Sequence, residues 1–135
     1  MAHRVSTAAL GGGNRCPLSQ GYWKNHPAQW PETTLTLGNQ NYSQAELVSI
    51  INTSTSDASM QLARQLIAAK LNLFNGSNAG PAAAAIADAD HQLEGFTAKL
   101  PYNVKPSSAV GTSMIKDANT LINYNSGTLT PGCTP

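Results

Sequence analysis

Residues 57–74 read DASMQLARQLIAAKLNLF. Met60, Ala63, Ile67, Leu71 and Phe74 recur at the three- and four-residue spacing of one helical stripe. Leu62, Leu66, Ala69 and Leu73 lie beside that stripe. A helix apolar over so wide an arc has to be covered on most sides, so this segment is expected to be the central and most buried helix. Ser54 and Asp57 stand before it at the spacing of a capping box, and Asn75-Gly76 closes it as a C-terminal cap.

Working outward, three more helices are predicted. Ser43 and Glu46 form a capping box with Tyr42 and Leu47 as the hydrophobic staple, and a helix follows to about Asn52 with Leu47, Ile50 and Ile51 inward. Gly80-Pro81 sets proline at a first helical position, ahead of a core face of Ala82, Ala85, Ile86, Ala89, Leu93 and Phe96. Ser107 or Ser108 caps the last helix, in which Val110, Met114, Ala118, Leu121 and Ile122 make the stripe and Gly127 the stop. TLTLGNQNY (34–42) reads as a short extended segment with a Gly-Asn turn, and KLPYNVKP (99–106) as a proline-bounded connector. The expected fold is all-α, an irregular four-helix bundle. It forms one domain over residues 16–135, preceded by a flexible leader or linker remnant over 1–15 that contains Gly11, Gly12 and Gly13.

Composition narrows the function. Charged residues make up 11% of the 135, against roughly 25% in an average globular chain. The polar surface is therefore built mostly from Asn, Gln, Ser and Thr. Net charge is +1 and the eight Lys and Arg are scattered, which argues against nucleic acid and against an anionic membrane surface. No apolar run approaches the roughly 18 residues of a membrane span. Met1 to Gly13 lacks the apolar core of a signal peptide, so a mature form with an added start methionine is expected. Cys16 and Cys133 bracket nearly the whole chain. Paired, they would close a loop of more than 100 residues, worth roughly 4–5 kcal/mol in the chain-entropy model, and would imply an oxidising compartment. The alternative is two separate thiols.

The segment CPLSQGYWKNHPAQWP (16–31) holds both tryptophans and lacks helical periodicity. Together with LTLGNQNYSQAELVSIIN, LARQLIAAKLNLFNG and AAIADADHQL, it resembles a domain of bacterial secreted proteins. The signature of that domain is a cysteine shortly before Gln-Gly-Tyr-Trp-Lys-Asn-His-Pro and a second Trp-Pro a few residues on. The resemblance spans about residues 16 to 133. It implies extracellular placement, as a stand-alone protein or a module of larger surface or matrix proteins, with a cysteine-stapled helical fold. It implies no catalytic residues.

Two readings stand for the aromatic strap. Tyr22, Trp23 and Trp30 would stack on sugar rings or a partner surface if exposed, or they would close the open groove of a short bundle as a lid. His26, before a proline, is either a general base or the hydrogen-bonding tie of its loop. Asp88 and His91 share one face of their helix, while Asp90 falls at the edge of the apolar stripe and calls for a partner, with His26 or Lys24 in reach. A carboxylate pair for glycoside hydrolysis would come from Asp88, Asp90, Glu94 and Asp117 if the last two helices are neighbours. Asp88 and His91 are only two ligands, so no metal is expected, no EF-hand loop is present, and no cofactor motif appears. The function expected from these residues is a secreted cell-surface or matrix module that binds glycan or extracellular protein through the strap. The alternatives are a small extracellular hydrolase of glycosides or esters, using His26 or Lys24 with Asp88, Asp90 or Asp117, and a self-assembling subunit.

Overall fold

The computed structural model describes residues 14–133. The chain runs through α1 (Gln20–Asn25), β1 (Leu35–Leu37), β2 (Gln40–Tyr42), α2 (Gln44–Ile51), α3 (Ala58–Phe74), α4 (Ala83–Glu94) and α5 (Ala109–Asn125), with 3-10 turns at Pro27–Gln29 and Gly80–Ala82. All four predicted helices form. A purely α-helical fold does not: the strap contains the short helix α1, and residues 35–42 fold into an antiparallel hairpin with Leu35 opposite Tyr42 and Leu37 opposite Gln40. The reason lies in the alternation of Leu35, Thr36 and Leu37, which buries both leucines and exposes the threonine. Gly38 makes the turn at φ +62°, and a Cβ there would meet the Leu93 backbone at 2.9 Å. That close approach seats the hairpin on α4.

The helix α3 is central, as its apolar arc requires. It packs against α1, α2, α4 and β1, and most extensively against α5. Its N-cap is Asp57 acting directly, through a 2.9 Å bond from the Ser59 N–H, and not as the third residue of a box begun at Ser54. The same carboxylate accepts from the N–H groups of Asn103 and Val104, each at 2.9 Å. One side chain thus caps α3 and ties down the 99–106 connector. Burial pushes this carboxyl up, but the bonds from Ser59, Val104 and Asn103 outweigh it and hold the carboxyl below its ordinary value. At α2 the expected box is present in both directions, Ser43 to Glu46 and back. Ser108, of the two serines considered, caps α5 by accepting from the Gly111 N–H at 3.0 Å.

The stripe expected on α5 is partly wrong. Met114, Ala118 and Leu121 are buried, but Val110 is 49% exposed and Ile122 45%. The side of the first turn that carries Gly111 is pressed against the connector, where a Cβ would stand 1.9 Å from the Lys105 carbonyl oxygen. That docking turns Val110 outward. Further along, Tyr124 and Asn125 take the inward positions.

A buried amide joins the strap to the bundle. Asn72, on α3 and fully buried, accepts from the Leu18 N–H at 2.8 Å and from the Trp23 indole N–H at 3.0 Å. Its NH2 donates to the Leu18 carbonyl at 2.9 Å and to Asn125 Oδ1 at 3.1 Å. Asn125 in turn donates to the Gln65 carbonyl at 3.1 Å. The disulfide Cys16–Cys133 closes the two ends of the chain, with Cα atoms 5.4 Å apart across a separation of 117 residues. Asn72→Ala would strand the Trp23 and Leu18 N–H groups in the interior, where each unmet donor costs about 1–3 kcal/mol. Urea denaturation is expected to show a loss of about 3 kcal/mol; a loss below about 1 kcal/mol would mean that water or a shifted partner replaces the amide.

Candidate functional site

The strap is a lid. Trp23 is 1% exposed and Trp30 7%, so neither presents a face to a ligand. The Trp30 indole N–H donates to the Trp23 carbonyl at 2.8 Å, so one tryptophan holds the backbone of the other. Ser19 caps α1 by accepting from the Tyr22 N–H at 3.1 Å. Tyr22 is half-buried, lies edge-on to Trp23 at 5.2 Å, and donates its hydroxyl to Gln29. His26 stacks on Tyr22 at 4.1 Å between centroids. Its Nδ1 lies 2.7 Å from the Tyr22 carbonyl oxygen, which only accepts, so Nδ1 carries the proton and donates. His26 is the tie of its loop. Lys24 is exposed in the last turn of α1, where its charge faces the helix C-terminus.

Asp90 has a different partner from the two expected. Its carboxylate lies 2.6 Å from Lys70 Nζ and accepts from the Gly38 N–H at 2.9 Å, while Lys70 also donates to the Thr36 carbonyl at 2.6 Å. Lys70 on α3 and Asp90 on α4 thus clamp the hairpin turn between them. No hydrogen bond or ion pair among the described residues joins His26 or Lys24 to Asp88 or Asp90.

The face where α4 meets α5 is chemically different. A groove of about 470 Å³ is lined by His91, Gln92, Gly95, Phe96, Val110 and Ser113, with Ala109 at its edge. Phe96 stacks on Tyr102 at 4.2 Å with planes 5° apart, which fixes its ring. Val110 supplies the exposed apolar surface. At one end Gln92 Nε2 donates to Asp117 at 2.8 Å and to Asp88 at 3.1 Å. Asp117 is only 8% exposed. Burial, and then the neighbouring Asp88 carboxylate, push the Asp117 carboxyl up to about 6 from an ordinary 3.8. His91 is exposed and stands 3.8 Å from Glu94.

Of the candidate residues singled out from sequence, His91 lines this groove, and Asp88 and Asp117 meet it through Gln92. Phe96 and Val110 line the groove although their spacing marked them as core. Asp117 was one of several candidate acids, and its signal was its i+7 relation to Val110, which places both on one side of α5. Among the described residues no three His, Cys, Asp or Glu side chains converge as a metal site would need, and no helix is long and apolar enough to cross a membrane. No protein-family model, no curated protein and no solved structure matches the chain.

The Asp117 shift carries a pH signature. A folded-state value above the unfolded one means that the folded chain binds more protons, so this group's contribution falls as pH rises from about 4 through about 6. Asp117→Asn keeps the Gln92 contact and removes the titration. The variant is expected to be more stable than wild type by about 1–2 kcal/mol at pH 7.5 and equal to it near pH 4. Urea midpoints at the two pH values check this, and a pH-independent difference would refute the raised Asp117 carboxyl.

Proposed function

We propose that this chain is a secreted, non-catalytic cell-surface or matrix module that binds a glycan in the α4–α5 groove. The single observation that carries the reading is the Phe96–Val110 surface: both tryptophans are buried, yet these apolar side chains line an open groove beside amide, hydroxyl and imidazole groups. Sugar rings need that combination, an apolar patch for C–H faces and uncharged or acidic groups for hydroxyls. The disulfide supports an oxidising compartment. The resemblance of residues 16–31 and of the helices to bacterial secreted domains supports the same placement. A chain only 11% charged presents a surface that holds its hydrogen-bonding character across changes of pH and salt outside the cell.

The aromatic strap serves this reading as scaffold. With Trp23 and Trp30 inside, ligand contact passes from the strap to the α4–α5 face.

A glycan array followed by calorimetric titration of the hits tests the proposal. Ser113→Arg fills the groove from an exposed position and is expected to weaken binding by about tenfold or more, that is ~1.4 kcal/mol, with an unchanged melting temperature. Phe96→Ala should weaken it as well. Binding that survives both substitutions would remove the groove from consideration.

A second reading, an extracellular hydrolase, draws on one observation, the Asp117 carboxyl raised by burial and by Asp88 and bonded to Gln92, a residue of the same groove. On that reading Asp117 would donate a proton. Turnover of chromogenic glycosides or esters that falls at least about a hundredfold in Asp117→Asn would establish it; no turnover above blank eliminates it.

A further inference from the structure

A second cavity, of about 410 Å³, lies at the disulfide end of the molecule. That volume is within the ~300–1,000 Å³ of small-molecule sites. Its two walls are the segments that the disulfide joins: Asn14 and Arg15 precede Cys16, and Leu129, Thr130 and Pro131 approach Cys133. Asn78, Gly80 and Pro81 line it between them. Both walls are anchored. The Arg15 N–H donates to the Gly76 carbonyl at 3.2 Å, and Arg15 pairs with Ser77 in an isolated parallel bridge. The Cys133 N–H donates to the Thr130 carbonyl at 3.1 Å, and the Tyr124 hydroxyl donates to the Asn78 carbonyl at 2.9 Å.

Among the described residues no carboxylate pairs with the charge in this cavity. The sequence contains seven carboxylate side chains, and the polar contacts of each lie elsewhere. Glu46 pairs with Lys99, Asp90 with Lys70 and Glu94 with His91. Asp57 caps α3, Asp88 and Asp117 share Gln92, and Glu32 accepts from the Thr33 N–H. The Arg15 stem meanwhile rests on Gly76, its Cδ 3.4 Å from where a Cβ would stand, which restrains the guanidinium beside the cavity. Around it are groups that recognise a sugar. Asn78 spends Oδ1 on the Gly80 N–H at 2.8 Å, which leaves its NH2 to donate. The Thr130 hydroxyl and the Asn14 amide are further partners, and Leu129, Pro81 and Pro131 supply apolar surface.

We infer that this cavity binds a carboxylated sugar, a hexuronate residue of an acidic glycan, with Arg15 gripping the carboxylate through the paired N–H groups of its guanidinium. A guanidinium fork matches a carboxylate in shape and charge. The amide and hydroxyl groups match ring hydroxyls, and the prolines and Leu129 match a C–H face. A peptide terminus would use the same fork, but most of this lining would then meet no complementary group. The site is separate from the α4–α5 groove and stands without it.

Calorimetric titration of the oxidised protein with trigalacturonic acid tests the assignment. Saturable binding at one site is expected. The methyl-esterified trisaccharide should bind at least about tenfold more weakly, or ~1.4 kcal/mol. Arg15→Gln keeps the stem on Gly76 and should bring the same loss without a change in melting temperature. Arg15→Lys, with the charge but no fork, should fall between the two. Ser113→Arg should leave the uronate titration unchanged, which separates this site from the groove. Absence of saturable binding, equal affinity for acid and ester, or wild-type affinity in Arg15→Gln would each overturn the inference. So would displacement of the uronate by an N-acetylated tripeptide acid that binds more tightly, since the site would then belong to a peptide carboxylate.

Discussion

One buried amide, Asn72, holds the two halves of this molecule in register. Set within a helix that is otherwise nearly all apolar on its inner side, it satisfies the Leu18 backbone in both directions, the Trp23 indole and the Asn125 amide. A polar side chain in such a place is tolerated only when its bonds are met, and here they are met by groups that would otherwise be unsatisfied themselves. The strap can bury two tryptophans because Asn72 receives one indole and the Trp23 carbonyl receives the other. The disulfide adds a covalent constraint at the ends of the same layer, limiting the unfolded chain where Asn72 organises the folded one.

The sparse charges are used in a related way. Asp57 binds a helix start to a connector, Asp90 with Lys70 binds the hairpin turn to two helices, and Glu46 with Lys99 binds α2 to the same connector. Each carboxylate replaces contacts that a larger core would have supplied. Two features stand outside this economy: Asp117, whose carboxyl is raised by burial and by the neighbouring Asp88, and Arg15, which pairs with no carboxylate among the described residues. Arg15 lines one concave surface and Gln92, the partner of Asp117, lines the other, and those surfaces are where ligand chemistry is proposed.

Helix existence and caps were legible because local spacing determines them. Ser43, Glu46, Ser108 and Gly127 act within a few residues of where they stand, so propensity and hydrogen bonding agree without tertiary help. The short helix α1 was hidden in a segment too brief and too rich in proline for a periodic signal, and it forms because Ser19 caps it and the Trp23 side chain docks on α3. The roles of Trp23 and Trp30 were undecidable from composition, since an amphipathic ring serves an interior and an interface equally well. The same holds for His26, whose role was settled by the carbonyl it meets, and for Arg15, which reads as part of a flexible lead until Ser77 pairs with it.

Legible without any tertiary information are the four helices α2 to α5, the central place of residues 58–74 and the single possible cysteine pairing. These follow from periodicity and counting, which are local or exhaustive. The tertiary structure alone decided which apolar side chains were left over. Val110 and Phe96 satisfy the same spacing rule as Met114 and Leu93, yet the docking of Gly111 on the connector leaves Val110 at the surface, where it joins Phe96 in the groove. A stripe specifies that a face is apolar. Only the placement of neighbouring elements specifies where their cover ends, and the uncovered remainder is where this protein has a surface to offer.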